Sequence, residues 1–262
     1  MTKIISFCGR AQSGKTSSAN FLAGLFLKQK GIINCFDIDD SGNLVVPTVY
    51  TDGKTGFGIL DLNRKDYEFV DFMASQIWPT VKLYNIADNL KRTIMEIFNV
   101  PYENLYGTNE QKNQLTSIKW SAFSPFINKK ILKDKGEFMT GRDLMQYFGT
   151  EICRKIDEDC WIRSCLRDIE YEQPEYALIA DVRFENELDY ISASKIESHN
   201  FKLTLNPLNS DHESEISVDA IPESKFTAIV DNANISIVAK NDLIQRSLFE
   251  KGIIKEILNA SS

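Results

Sequence analysis

Short apolar runs alternate with longer stretches of helical spacing along most of this chain. Ile4–Phe7, Val81–Ile86, Ala177–Ala180, Phe201–Leu205 and Phe226–Val230 read as buried strands. Between them lie helical patterns. Ser17–Lys30 carries Phe21, Leu22, Leu25 and Phe26 on one side, and Met139–Ile156 carries Leu144, Phe148 and Ile152. Thr140 and Asp143 have capping-box spacing at the start of the second helix, and Asp159 stands before a third that turns Trp161, Cys165, Leu166 and Ile169 inward. Strands alternating with helices predict an α/β fold with a mostly parallel five-stranded sheet covered on both faces. Ligands of such folds sit at the carboxyl ends of the strands.

Residues from about 35 to 62 interrupt the rhythm. Leu44–Tyr50 and Gly56–Leu60 flank Thr51-Asp52-Gly53-Lys54, and Asp-Gly between two strand-like runs predicts a β-hairpin inserted after the first helix. A dimer contact, a lid over a substrate and plain decoration are all open roles for it.

The strongest chemical signal lies between the first strand and first helix. Gly9-Arg10-Ala11-Gln12-Ser13-Gly14-Lys15-Thr16 matches G-x-x-x-x-G-K-[ST] in full, in the strand-loop-helix context that the pattern requires. Main-chain amides from Gly9 through Ala11, Ser13 and Gly14 to Ser17 would wrap phosphate oxygens at the positive end of the helix. Lys15 would bridge the terminal phosphates, and the Thr16 hydroxyl would bind Mg²⁺.

Two weaker signals follow. Arg142, Gln146 and Gly149 recur at i, i+4 and i+7, a ridge that suits either a ligand's phosphate and base or a solvated polar face. The run Tyr176–Phe184 delivers Asp181 and Arg183 to a strand's carboxyl end, where an acid can order Mg²⁺ through water and an arginine can grip phosphate. An ordinary ion pair is the alternative.

Bulk properties narrow the classes. The chain has 262 residues, 43 % hydrophobic and 26 % charged, with a net charge of −7. That balance disfavours sequence-independent nucleic-acid binding and a DNA motor. No apolar run reaches membrane-span length, and with a strand beginning at Ile4 no signal peptide is visible. Five cysteines without a C-x-x-C pair predict reduced, packed thiols in a cytoplasmic protein. Two histidines argue against a structural zinc site.

Four segments together resemble a known family, the deoxynucleoside monophosphate kinases of large tailed bacteriophages, within the nucleoside monophosphate kinase group of P-loop kinases. They are Gly9–Thr16; Tyr84–Arg92, with Ala87-Asp88-Asn89-Leu90-Lys91; Thr140–Glu151 followed by Trp161; and Asp181–Glu187 with His212–Glu215 downstream. The likeness runs from Met1 to about Leu258, the insert excepted. It implies a single three-layer kinase domain with lid-like or substrate-binding helical segments at about 87–170, ATP and Mg²⁺ as cofactors, and deoxynucleoside monophosphates as acceptors. The implied catalytic set is Lys15, Arg142, Asp181 and Arg183. Thr16 and Asp181 would serve the metal, and Lys91, Arg142, Gln146, Gly149 and Trp161 the acceptor. A lone His212 reads as solvated.

Two features depart from the small kinases of that group: the insert, and an acid-rich Leu208–Asp219 where no arginine-dense lid is evident. A P-loop kinase for another small phosphorylated acceptor and a non-catalytic ATP-gated binding protein remain alternatives. A GTPase switch is disfavoured, because Asn128-Lys129-Lys130-Ile131 lacks the acid of a guanine reader. A homodimer is compatible with the sequence.

Overall fold

The computed structural model describes residues 1–64, 67–126, 135–205 and 213–255. Asn128–Ile131 and His212 lie outside them. The chain divides into two compact units, Met1–Asn85 with Leu166–Ser262, and Ile86–Cys165.

The first unit is built on five parallel strands. β1 (Lys3–Cys8) leads into helix α1 (Lys15–Gln29). The insert follows as β2 (Asp37–Ile38), β3 (Leu44–Val49) and β4 (Thr55–Ile59). Helix α2 (Tyr67–Phe72) precedes β5 (Val81–Tyr84). Strand order in the main sheet, using the chain-order numbers completed below, is β10-β9-β1-β8-β5. β1 pairs in parallel with both neighbours, Ile5 opposite Leu178 on one side and His199 on the other.

All six residues from Ile4 to Gly9 are buried, so both faces of β1 are covered and side chains of both parities are core. Ile5 and Phe7 share one cluster with Leu22, Leu25 and Phe26 of α1 and with Phe201 and Leu203. The expected hairpin is present: Val45 faces Ile59 and Val49 faces Thr55 across a turn in which Gly53 adopts φ 80°. The added strand β2, too short for a hydrophobic pattern to reveal, makes the insert a three-stranded antiparallel sheet. Phe36, Leu44, Leu60 and Leu62 anchor it in the main core.

The second unit runs through α3 (Ala87–Phe98), α4 (Tyr102–Tyr106), α5 (Asn109–Lys112), β6 (Leu115–Lys119), β7 (Phe138–Thr140) and α6 (Gly141–Gln146). Its core is Leu90, Ile94, Val100, Leu105, Trp120, Phe123, Met139 and Leu144. The helix expected from Met139 begins two residues later. Met139 belongs to β7, where its carbonyl accepts from Thr116 Oγ1 at 2.8 Å. The capping box at Thr140 and Asp143 is formed, and it sets the start at Gly141. From Tyr147 to Arg154 the helix widens to i→i+5 bonding.

The chain returns to the first unit within α7 (Cys160–Glu172), then forms β8 (Tyr176–Val182), α8 (Glu185–Ala193), β9 (Glu197–Leu203), α9 (Glu213–Ala220), β10 (Ala228–Val230) and α10 (Ile237–Glu250). β9 starts four residues before the apolar run, at Glu197-Ser198-His199-Asn200. Its buried Asn200 is satisfied by Ser6 Oγ, which donates to Oδ1 at 2.7 Å, so a polar segment can pair inside the sheet. The five cysteines are free thiols, and burial pushes Cys8 up to about 12. No helix among the described residues is long and apolar enough to cross a membrane.

Candidate active site

The loop Gly9–Gly14 leaves the carboxyl end of the central strand and turns into α1 at a left-handed Gly14 (φ 92°). Gly9 has no room for a side chain. A Cβ there would stand 2.5 Å from Ser13 Oγ and 2.9 Å from the Leu203 carbonyl. No side chain caps the helix start, and the amides of Lys15, Thr16 and Ser17 have no carbonyl behind them within the helix. Ser13 Oγ is buried without a hydrogen-bond partner. A start of this kind suits an anion.

Lys15 is only 8 % exposed, and its Nζ donates to the Gly9 carbonyl at 2.7 Å and the Arg10 carbonyl at 2.6 Å. Burial, then the nearby Arg183 guanidinium, lowers its pKa from 10.5 to about 8, while Cys8 and Asp181 pull the other way. Asp181 and Arg183, at the end of β8, therefore sit within electrostatic reach of Lys15. The backbone at Arg183 is fixed from behind, since the amides of Arg183 and Phe184 both donate to buried Glu187 Oε2, at 2.8 and 3.0 Å. Thr16 is exposed on the first turn of α1, and Asp181 is half-buried at the end of β8 in the same unit. A hydroxyl and one acid suit a hard cation that keeps most of its waters, as Mg²⁺ does. Among the described residues no group of three or more His, Cys, Asp or Glu forms a self-sufficient metal cage.

Two further groups hold this loop and were not singled out from the sequence. Asn232 Nδ2 donates to the Ser13 carbonyl at 2.8 Å, and its Oδ1 accepts from the Leu205 amide at 2.9 Å. Lys240 Nζ donates to the Gly14 carbonyl and to Ser17 Oγ, both at 3.2 Å. Lys240 had a readable signal. It stands at i of Lys240, Ile244 and Leu248, spaced i, i+4 and i+8, on a buried face that also carries Asn241 and Gln245. A cavity of about 250 Å³ opens beside these groups, lined among others by Gln12, Ser13, Ser17, Asp40, Asn232 and Lys240.

In the second unit, Arg142 is exposed at the start of α6. Its Nε donates to Asn113 Oδ1 at 3.0 Å and its Nη2 to Asn109 Oδ1 at 2.8 Å. Lys91 lies 4.5 Å above the Tyr106 ring and 3.6 Å from Asp88. Lys112, unremarked in the sequence, has its pKa lowered by burial and then by Lys91 and Arg142, which marks three cations as neighbours. Gln146 is half-buried one turn on from Arg142. Gly149 is not on their ridge. The wider turn advances less per residue, and Gly149 is buried where a Cβ would meet Leu90 Cδ2 at 2.6 Å. Trp161 packs on the unit's core and donates from Nε1 to the Gly149 carbonyl at 3.2 Å. Gly149 and Trp161 thus serve packing in this structure.

A glycine-bounded loop and buried lysine at the end of the central strand of a parallel α/β sheet define the class, a kinase-type fold with a phosphate-loop core. The family can be stated more narrowly. The deoxynucleotide monophosphate kinase family matches residues 3–197, and the chain belongs to that family of phosphotransferases. It is also similar to a protein of Acanthamoeba polyphaga mimivirus named "Putative deoxynucleotide monophosphate kinase", with 29 % identity over 157 residues, covering 58 % of this chain and 75 % of that protein.

Proposed function

We propose that the protein transfers the γ-phosphate of ATP to a deoxynucleoside 5′-monophosphate, with Mg²⁺, supplying diphosphates for the DNA synthesis of a virus such as a phage. The observation that carries this reading is Lys15. Its ammonium is buried among loop carbonyls at the carboxyl end of the central strand, with Asp181 and Arg183 within electrostatic reach. Membership of the family supplies the acceptor class.

In this reading an ionised oxygen of the acceptor's phosphate attacks the γ-phosphorus. The bond to the β–γ bridging oxygen breaks, and ADP leaves with that electron pair. The attacking oxygen needs no strong base, so positioning and charge stabilisation set the rate. Lys15 and the amides of Gly9–Ser17 hold the donor's phosphates. Thr16 and Asp181 would hold Mg²⁺, which would supply positive charge to offset that of the donor's phosphates. Arg183 offsets charge on the transferring group. Arg142 grips the acceptor's phosphate, with Lys91 beside it, and Gln146 reads the base.

The test is a coupled ADP-release assay with ATP, Mg²⁺ and a panel of ribo- and deoxynucleoside monophosphates. Turnover with at least one deoxynucleoside monophosphate is expected. ATP binding without turnover on any of them would favour the nucleotide-gated alternative, and turnover confined to a different phosphorylated acceptor would replace the substrate.

A further inference from the structure

We propose that Lys240 is a second cationic ligand of the donor's polyphosphate, acting beside Ser17 on the first turn of α1, while Lys15 serves the outer phosphates. The inference rests on the reading that the first unit binds a nucleoside triphosphate, and it adds a residue outside the glycine-bounded motif.

The geometry is unusual for a structural lysine. Lys240 is only 3 % exposed. Its Nζ reaches the Gly14 carbonyl and Ser17 Oγ, and among the described residues no carboxylate lies within ion-pair distance. A buried ammonium normally needs an anion, since two neutral acceptors do not balance a charge removed from water. Bridging two acceptors needs no charge at all, and a glutamine amide of similar reach would do it. The anion is expected where several anion-seeking groups already converge. Ser17, on the uncapped first turn of α1, lines the cavity of about 250 Å³ together with Ser13, whose Oγ is buried and unpartnered, and with Lys240. Gly14 keeps the approach open, because a Cβ on it would lie 3.1 Å from Lys240 Nζ. Asn232, in the same wall, holds the Ser13 carbonyl back, which leaves the loop's amide side to the ligand.

Lys240 carries a titratable signature of this role. Burial lowers it to about 8. Asp40, from the insert, is the other titratable side chain lining the cavity. At pH 8 Lys240 is partly deprotonated without ligand, and a polyphosphate draws a proton onto it, so binding should take up protons at this residue.

The experiment is calorimetric titration of MgATP into the full chain at pH 8, in two buffers of different ionisation enthalpy. Lys240→Gln should take up fewer protons than the wild type and bind at least tenfold more weakly. Lys240→Arg keeps the charge but not the titration, so it should bind within a few-fold of wild type and also take up fewer protons than the wild type. If Lys240→Gln does not fold, the wild-type proton count and Lys240→Arg still decide. Wild-type affinity in Lys240→Gln, or the same proton uptake in wild type and Lys240→Arg, overturns the inference while leaving the kinase reading intact. A wild type with no affinity for MgATP overturns both.

Discussion

Replacing Lys15 by methionine should move stability and activity in opposite directions. At pH 7 the wild-type ammonium is charged in a site that lowers its pKa from 10.5 to about 8. Holding it there costs the ligand-free fold about 3 kcal/mol, at 1.36 kcal/mol per unit. Methionine removes that penalty and forfeits two hydrogen bonds to the Gly9 and Arg10 carbonyls, worth about 1 kcal/mol each. Net stability without nucleotide should therefore be unchanged or raised by about 1 kcal/mol.

The pH dependence is sharper. A lysine with a depressed folded pKa leaves the unfolded chain holding more protons between pH 8 and 10.5, so wild-type stability gains as pH rises through that window. At pH 9.5 the penalty has fallen to about 1.4 kcal/mol, and the difference between the two proteins should shrink by about 2 kcal/mol relative to pH 7. Cys8, raised to about 12, and Lys240, lowered to about 8, are common to both and largely cancel. Urea denaturation of both proteins at the two pH values, without nucleotide, measures this double difference. In the same preparations kcat should drop by about 10²–10⁴-fold, through loss of several kcal/mol of transition-state stabilisation. A Lys15→Met protein with the wild-type pH slope, or with near-full turnover, would refute the reasoning.

Other outcomes follow from single contacts. Gly9→Ala should weaken MgATP binding at least ~10-fold and cost about 1–3 kcal/mol of stability, because the added methyl meets a backbone carbonyl at 2.9 Å; unchanged affinity by calorimetry would count against the loop geometry. Arg142→Ala should raise KM for the deoxynucleoside monophosphate about 10- to 100-fold and leave the MgATP Kd alone, with the reverse pattern in steady-state kinetics inverting the site map. Gly141→Ala should destabilise the second unit by about 1–3 kcal/mol, since its Cβ would stand 2.1 Å from the Asn104 carbonyl; an unaltered melting curve would exclude that packing. Asp181→Asn should raise the Mg²⁺ concentration needed for half-maximal rate, and an unmoved Mg²⁺ titration would remove Asp181 from the metal.

What could be read from the chain divides by physical cause. The five strands of the main sheet were visible because each carries an apolar run, and the loop after the first was visible because its glycines and lysine have fixed spacing. The hairpin was visible through Asp52-Gly53. Features decided by tertiary contact were not. The polar start of β9 pairs only because Ser6 answers Asn200, and β7 takes Met139 from the expected helix because Thr116 bonds its carbonyl. Gly149 left the Arg142 ridge because the helix widens after Gln146, and nothing in local spacing marks such a widening. Lys112 and Asn232 reach their neighbours through the fold, across sequence distances no local pattern spans.

The insert is stitched at its roots and at its β2–β3 turn to one helix and the core beneath it. Phe36 lies flat on Gly24, where a Cβ would come within 2.4 Å of its ring, and Gly42 rests on Ser17 while its carbonyl takes a hydrogen bond from Asn20 at 2.9 Å. Residues 35 to 62 are therefore no detachable ornament. Excising them would strip the lining from the buried side of α1 and remove Asp40, Ser41 and Gly42 from the mouth of the neighbouring cavity. A chain shortened there should lose nucleotide affinity together with solubility, and grafting the segment onto a relative would require transplanting Asn20 and Gly24 with it.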